Sequence, residues 1–166
     1  MGHYPAFSVN HLDCMGTYPD ARNEFWDSLA QAGAQVYFCG HDHFLDHAKA
    51  RTSSGGWIHQ YVVGSGGAPL YDWNGIYLDN VSNPGTVEGI AHFRQDGYCV
   101  IDVNGFDVRL TLKQRAGANY YVACDTFAYT GPLVGPGVPT ASLAGLLAAM
   151  MMVILIFGVR RYAAAT

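Results

Sequence analysis

A short, largely apolar run, Gln35-Val36-Tyr37-Phe38-Cys39, ends at Gly40 and is followed at once by His41-Asp42-His43. No other feature constrains the fold as much as this junction. The run is β-prone and reads as a strand buried on both faces. The glycine stops it and leaves the next side chains at the rim of a sheet, where open α/β folds bind ligands. Upstream, Asp20 follows Pro19 as the expected helix N-cap. Phe25, Trp26, Leu29 and Ala32 recur at helical spacing, and Gly33 closes the helix. A helix leading directly into a buried strand predicts an α/β layer architecture.

Downstream, residues 57–63 read as another strand, and residues 88–94, 98–103 and 106–113 as a meander. Asn104-Gly105 is the expected two-residue hairpin turn, pairing Val103 with Phe106 and Ile101 with Val108. That register sets Asp102 against Asp107, a like-charge pair that destabilises.

Half of the 166 residues are hydrophobic, which suffices for a packed core, and the formal charge is −4. No Lys/Arg cluster lies in residues 1–137, which argues against nucleic acid as a specific partner. A phosphorylated substrate remains compatible, because bound metal ions can supply positive charge. Cys14, Cys39, Cys99 and Cys124 show no CxxC spacing. They read as free or buried thiols, with one disulfide open to an exported domain.

Composition divides the chain at several points. Residues 1–115 are globular. From Ala116 to Val159 the only charge is Asp125, and residues 116–140 read as an extension with a Pro/Gly linker. Residues 141–159 form an uncharged run of 19, long enough for a transmembrane helix across a hydrocarbon core of about 30 Å. Residues 160–166 are then a basic cytoplasmic tail. Val138-Pro139, the apolar run and Arg160-Arg161 together resemble a bacterial C-terminal sorting signal of the PEP-CTERM type, although Thr140-Ala141 stands where that motif has Glu-Pro. The resemblance implies a membrane-anchored, extracytoplasmic globular part, surface-sorted in a bacterium, with a sorting protease as a partner.

His41 and His43 can reach into one cleft, and neutral imidazole is a ligand for Zn, Fe, Mn and Ni. Asp42 between them points away or orients a ligand from behind. Taken alone, a His-x-His pair is a weak signal. Its setting is more specific: Gly2-His3-Tyr4-Pro5 with Ser8, then Tyr37-Phe38-Cys39-Gly40-His41-Asp42-His43, then Tyr61-Val62-Val63-Gly64-Ser65-Gly66-Gly67. This order resembles the last two metal motifs of the calcineurin-like metallophosphoesterases, and within them the purple acid phosphatases, over roughly residues 2 to 113.

The resemblance implies the C-terminal half of a four-layer αββα sandwich. It implies that His3 and His41 bind one metal ion and His43 a second, with Fe, Zn or Mn as divalent or trivalent cofactors. It implies hydrolysis of a phosphorylated small molecule by a metal-held hydroxide. The family's remaining ligands and its general acid have no counterpart in these residues. The expectation is therefore a fragment of a larger domain, with no catalytic acid of its own. Around the three ligands, His11 lines the cleft or is an ordinary loop residue. His47, beside Asp46, supports the site from behind or is structural. His59 and His92 sit on expected strands as structural residues. Gly64-Ser65-Gly66-Gly67 lacks the Lys of a phosphate loop and reads as a tight strand-end turn. The reading of another class is a catalytically silent, membrane-tethered binding or display module.

Overall fold

The computed structural model describes residues 1–11 and 14–131. The expected linker from residue 132, the apolar run 141–159 and the basic tail lie outside the described residues.

The first body element is α1, Pro19–Gln31. It starts two residues earlier than the sequence suggests: Tyr18 occupies the cap position without a side-chain bond, and Asp20 stands in the first turn. Pro19 explains the shift, since its missing N–H and fixed φ suit the first helical position. The helix ends at Ala32 in a Schellman motif, with Gly33 N–H donating to the Ala30 carbonyl (2.9 Å) and Ala34 N–H to the Leu29 carbonyl (2.9 Å).

Four strands form a mixed sheet in the order β1-β3-β2-β4. They are β1 (Val36–Cys39), β2 (Leu45–Arg51), β3 (Trp57–Val63) and β4 (Val87–Phe93), with a one-turn helix α2 (Asp79–Ser82) before β4. Only β1 and β3 run parallel. A second, antiparallel sheet holds β5 (Gly97–Asn104), β6 (Asp107–Gly117) and β7 (Tyr120–Thr130) in chain order.

The period-two alternation of strands sorts the first sheet into two faces. Tyr37, Cys39, Ala48, Ala50, Ile58 and Val62 join Trp26 of α1 and the N-terminal Ala6, Phe7 and Val9 in one core. Trp26 is 1% exposed and donates from Nε1 to the Ala50 carbonyl at 3.2 Å, so α1 is both packed and anchored. On the opposite face, Leu45 and Tyr61 meet Leu110 and Leu112 of the second sheet, with Val36 and Phe38 beside them. β1 is thus buried on the face of Tyr37 and Cys39 and half-buried on that of Val36 and Phe38, short of the full burial on both faces that the sequence suggests.

The expected C-terminal half of a four-layer αββα sandwich does not hold. The described residues are 43% strand and 16% helix, arranged as two small sheets with a single long helix on one face. Among them no helix is long and apolar enough to cross a membrane. The physical reason lies in the connections. Parallel pairing needs long crossovers, usually helices. Here β1 and β3 are joined through β2 instead, and β5, β6 and β7 follow one another through tight turns. The expected meander also splits. β4 pairs with β2, and the meander is completed by β7, in residues that read from sequence as an extension.

The hairpin between β5 and β6 turns through Gly105-Phe106, one residue later than expected. Gly105 has φ 61°, and Phe106 is not in the positive-φ region, which matches a turn needing positive φ at its first central residue only. Ile101 consequently faces Leu110 and Val103 faces Val108. Asp102 now faces Arg109, and the like-charge clash of the expected register disappears.

Candidate metal site at the histidine rim

The N-terminal segment is laid along β1 by backbone bonds from Gly2 N–H to the Phe38 carbonyl and from Gly40 N–H to the His3 carbonyl, both 2.9 Å. Further along, the fully buried Gln60 amide holds it to β3. Phe7 N–H donates to Oε1 (3.0 Å), and Nε2 donates to the Phe7 carbonyl (2.9 Å). These bonds bring His3 to the end of β1, where Gly40 releases the chain into the His41 loop. His3 Nε2 and His41 Nδ1 stand 3.3 Å apart across 38 residues of sequence. Tyr4 lies against both rings, at centroid distances of 4.9 Å to His3 and 4.5 Å to His41.

His41 has φ 67°, the only non-glycine with positive φ among the described residues. A bulky side chain held there costs energy and persists where the surroundings impose it. Asp42 supplies much of that constraint. Its side chain is fully buried, and its carboxylate accepts from Asn10 N–H at 3.2 Å and from His11 Nδ1. An ionised carboxylate only accepts, so His11 carries its proton on Nδ1 and leaves Nε2 as the lone-pair nitrogen. The His11 ring lies 4.9 Å from that of His41.

His43 turns to a different neighbourhood. Its Nδ1–H donates to the Pro69 carbonyl at 2.9 Å, which fixes the tautomer with the lone pair on Nε2. Tyr71 stacks on the His43 ring at 4.2 Å, donates its N–H to the His43 carbonyl and meets His11 edge-on at 4.9 Å. The order of rings is thus His3, His41, His11, Tyr71, His43, with a tyrosine between the last two imidazoles. Among the described residues no three His, Cys, Asp or Glu side chains converge as a ready metal cage.

Sequence reasoning missed Tyr71, which carries no spacing signal. Ser65, read from sequence as part of a tight strand-end turn, has a fully buried Oγ with no hydrogen-bond partner among the described residues. Gly64, in the same turn, lies directly beneath the Asp42 carbonyl, as a strand-end scaffold should.

His47 belongs elsewhere. It is buried between the two sheets, where Nδ1 bonds Asp125 and Nε2 faces His59. His92 Nδ1 bonds the buried Asp46 carboxylate at 3.0 Å, and Tyr77 O–H donates to the same carboxylate. Burial raises the Asp46 pKa, against the lowering effect of the His92 and Tyr77 bonds. None of the four cysteines forms a disulfide among the described residues. A cleft of about 800 Å³, lined by Arg22, Asn23, Arg51, Ser53 and Asp79, contains none of the rim histidines. No protein-family model matches the chain, and no curated protein matches it either.

Proposed function

We propose that the chain serves the metal-dependent hydrolysis of phosphate esters, at a site where His3 and His41 hold one ion and His43 contributes to a second. One observation carries the reading: the 3.3 Å between His3 Nε2 and His41 Nδ1. Two nitrogens each about 2.0–2.1 Å from a tetrahedral ion stand roughly 3.3 Å apart. The edge of a coordination tetrahedron and the observed imidazole pair therefore have the same length.

The surrounding residues do what such a site requires. Asp42 and the Pro69 carbonyl fix the Nδ1–H tautomers of His11 and His43, so that each offers Nε2 toward its own side of the rim. Tyr71 holds the rings of His43 and His11 in place. Bound transition metals would lower the pKa of water and polarise a phosphoryl oxygen. A bound metal would also supply positive charge opposite a phosphate.

The experiment is a titration of the full chain with Zn, Mn or Fe, followed by an assay on an aryl phosphate. Metal binding and metal-dependent hydrolysis are expected, and both should be lost in His41→Ala. Hydrolysis undiminished in that variant overturns the reading. Metal binding without hydrolysis would instead favour a catalytically silent binding module. That second reading draws on the position of His43, which pairs with Pro69 and Tyr71 and not with the His3–His41 edge.

A further inference from the structure

Asp125 is the only charge between Ala116 and Val159, and its side chain is only 12% exposed. The pairing of β6 with β7 slips between Leu112 and Lys113: Leu112 faces Asp125, Lys113 faces Ala123, and Cys124 is the extra residue. A bulge of this kind re-aims side chains. Here it sends Asp125, in step with Phe127 and Tyr129, toward the first sheet. There Asp125 Oδ2 lies 2.6 Å from His47 Nδ1 and 3.4 Å from the Tyr61 hydroxyl, and His47 Nε2 lies 2.7 Å from His59 Nδ1. His47 is 1% exposed and stacks on Tyr61 at 4.0 Å, while His59 stacks on Phe127 at 3.8 Å. The chain of bonds runs from β7 through β2 to β3 and crosses the interface between the sheets.

We propose that Asp125, His47 and His59 form an acid-releasable joint between the two sheets, which accommodates one proton on its imidazole pair and is broken by a second. Hydrogen-bond chemistry sets the limit. The contact between His47 Nε2 and His59 Nδ1 needs one donor and one acceptor. With both rings neutral, His59 donates to His47. With His47 protonated and paired to Asp125, His47 donates to His59. With both rings protonated, all four ring nitrogens are donors, no acceptor remains, and two like charges meet in a half-buried interface.

The other ionisable groups around the joint act consistently. Lys49, the cross-strand partner of His59 on β2, adds positive charge and is itself paired with Glu88 of β4 at 2.8 Å. Tyr61 on β3, Cys99 on β5 and Cys124 on β7 have their pKa values raised, chiefly by burial, and stay neutral in acid. β6 contributes the apolar Leu110 and Leu112. Burial, then the charges of His47 and Lys49, lower His59 from its ordinary 6.5 to about 4. Burial pushes Asp125 up, but its bonds from His47, Thr126 and Tyr61 outweigh that and hold it below the ordinary carboxylate value.

The sign follows by linkage. Below pH 6.5 the unfolded chain protonates residue 59 while the folded chain resists until about pH 4. Stability conferred by the joint is thus complete above about pH 6.5 and declines from there to about pH 4. The depressed Asp125 acts in the same direction, but only below its ordinary 3.8.

The test compares urea unfolding of the full chain with that of His59→Gln between pH 7 and pH 4. Glutamine keeps a hydrogen-bonding side chain but cannot titrate. The wild-type folding constant should fall more steeply than that of the variant, by an excess of up to about tenfold per pH unit for one proton. An NMR titration of the wild-type imidazoles should place His59 near pH 4. Equal slopes in the two proteins, or a His59 midpoint near 6.5, would overturn the proposal. If His59→Gln fails to fold, the NMR midpoint decides alone.

Discussion

A Cβ placed on Gly64 would stand 2.0 Å from the backbone carbonyl oxygen of Asp42. The end of β3 therefore touches the His41–His43 loop so closely that no side chain fits between them. Gly64→Ala must displace backbone, because the obstructing atom is not the tip of a flexible side chain. The expected loss is about 1–3 kcal/mol of stability, read from urea unfolding, together with weaker metal binding at the rim. A variant with unaltered unfolding and metal affinity would show that the loop is not seated on this glycine.

His41 offers the opposite test, in which stability and function separate. Its φ of 67° is strained for an imidazole residue and ordinary for glycine. His41→Gly should raise the stability of the metal-free chain by roughly 0.5–1 kcal/mol while removing metal binding. Thermal unfolding without metal, paired with a Zn titration, measures both. A destabilised variant would mean that the ring contacts with His3, Tyr4 and His11 outweigh the backbone strain.

Asp42 is expected to matter through the hydrogen bonds it receives. Asp42→Ala strands the Asn10 N–H and His11 Nδ1–H in a partly buried setting, at a cost of about 1–3 kcal/mol. Asp42→Asn retains one acceptor oxygen and should cost less. Chemical denaturation of the two variants gives the order, and an Asn variant as damaged as the Ala variant would contradict this account.

The β5–β6 turn provides a check on register. Gly105 needs positive φ at the first central position, which asparagine tolerates and a β-branched residue does not. Gly105→Asn should be nearly neutral, whereas Gly105→Val should cost about 1–2 kcal/mol. Thermal unfolding distinguishes them. Tolerance of valine at this position would contradict a turn that requires positive φ there.

Several elements were legible in the chain because their causes are local. Pro19 and Gly33 bracket α1, whose apolar residues recur every three to four positions between them, and Gly40 ends β1. The hairpin was legible in place but not in register, since Asn104-Gly105 and Gly105-Phe106 both satisfy a turn when only the glycine demands positive φ. The choice between them is made across strands, where Asp102 meets Arg109 instead of Asp107. The assignment of β4 to the first sheet could not be read either, because nothing local to residues 87–93 distinguishes β2 from β5 as a partner.

The candidate site divides in the same way. His3, His41 and His43 were marked by type and motif, but their division into His3 with His41 and His43 apart came only from the family resemblance, not from the residues themselves. The structure sets His3 beside His41 and turns His43 to Pro69 and Tyr71. His47 read as support for the metal site or as a structural residue, and the structure places it in the joint between the sheets, bonded to the inward-facing Asp125. Asp125 had carried a signal all along, as a lone charge in an otherwise uncharged stretch, but its partners lie 78 and 64 residues away. Sequence by itself determined the pieces whose energetics are settled within a few residues: the helix ends, the strand that stops at glycine and the inventory of imidazoles. Only the tertiary structure decided which imidazole meets which partner, because hydrogen bonds, close backbone approach and strand register depend on atoms that chain spacing does not bring together.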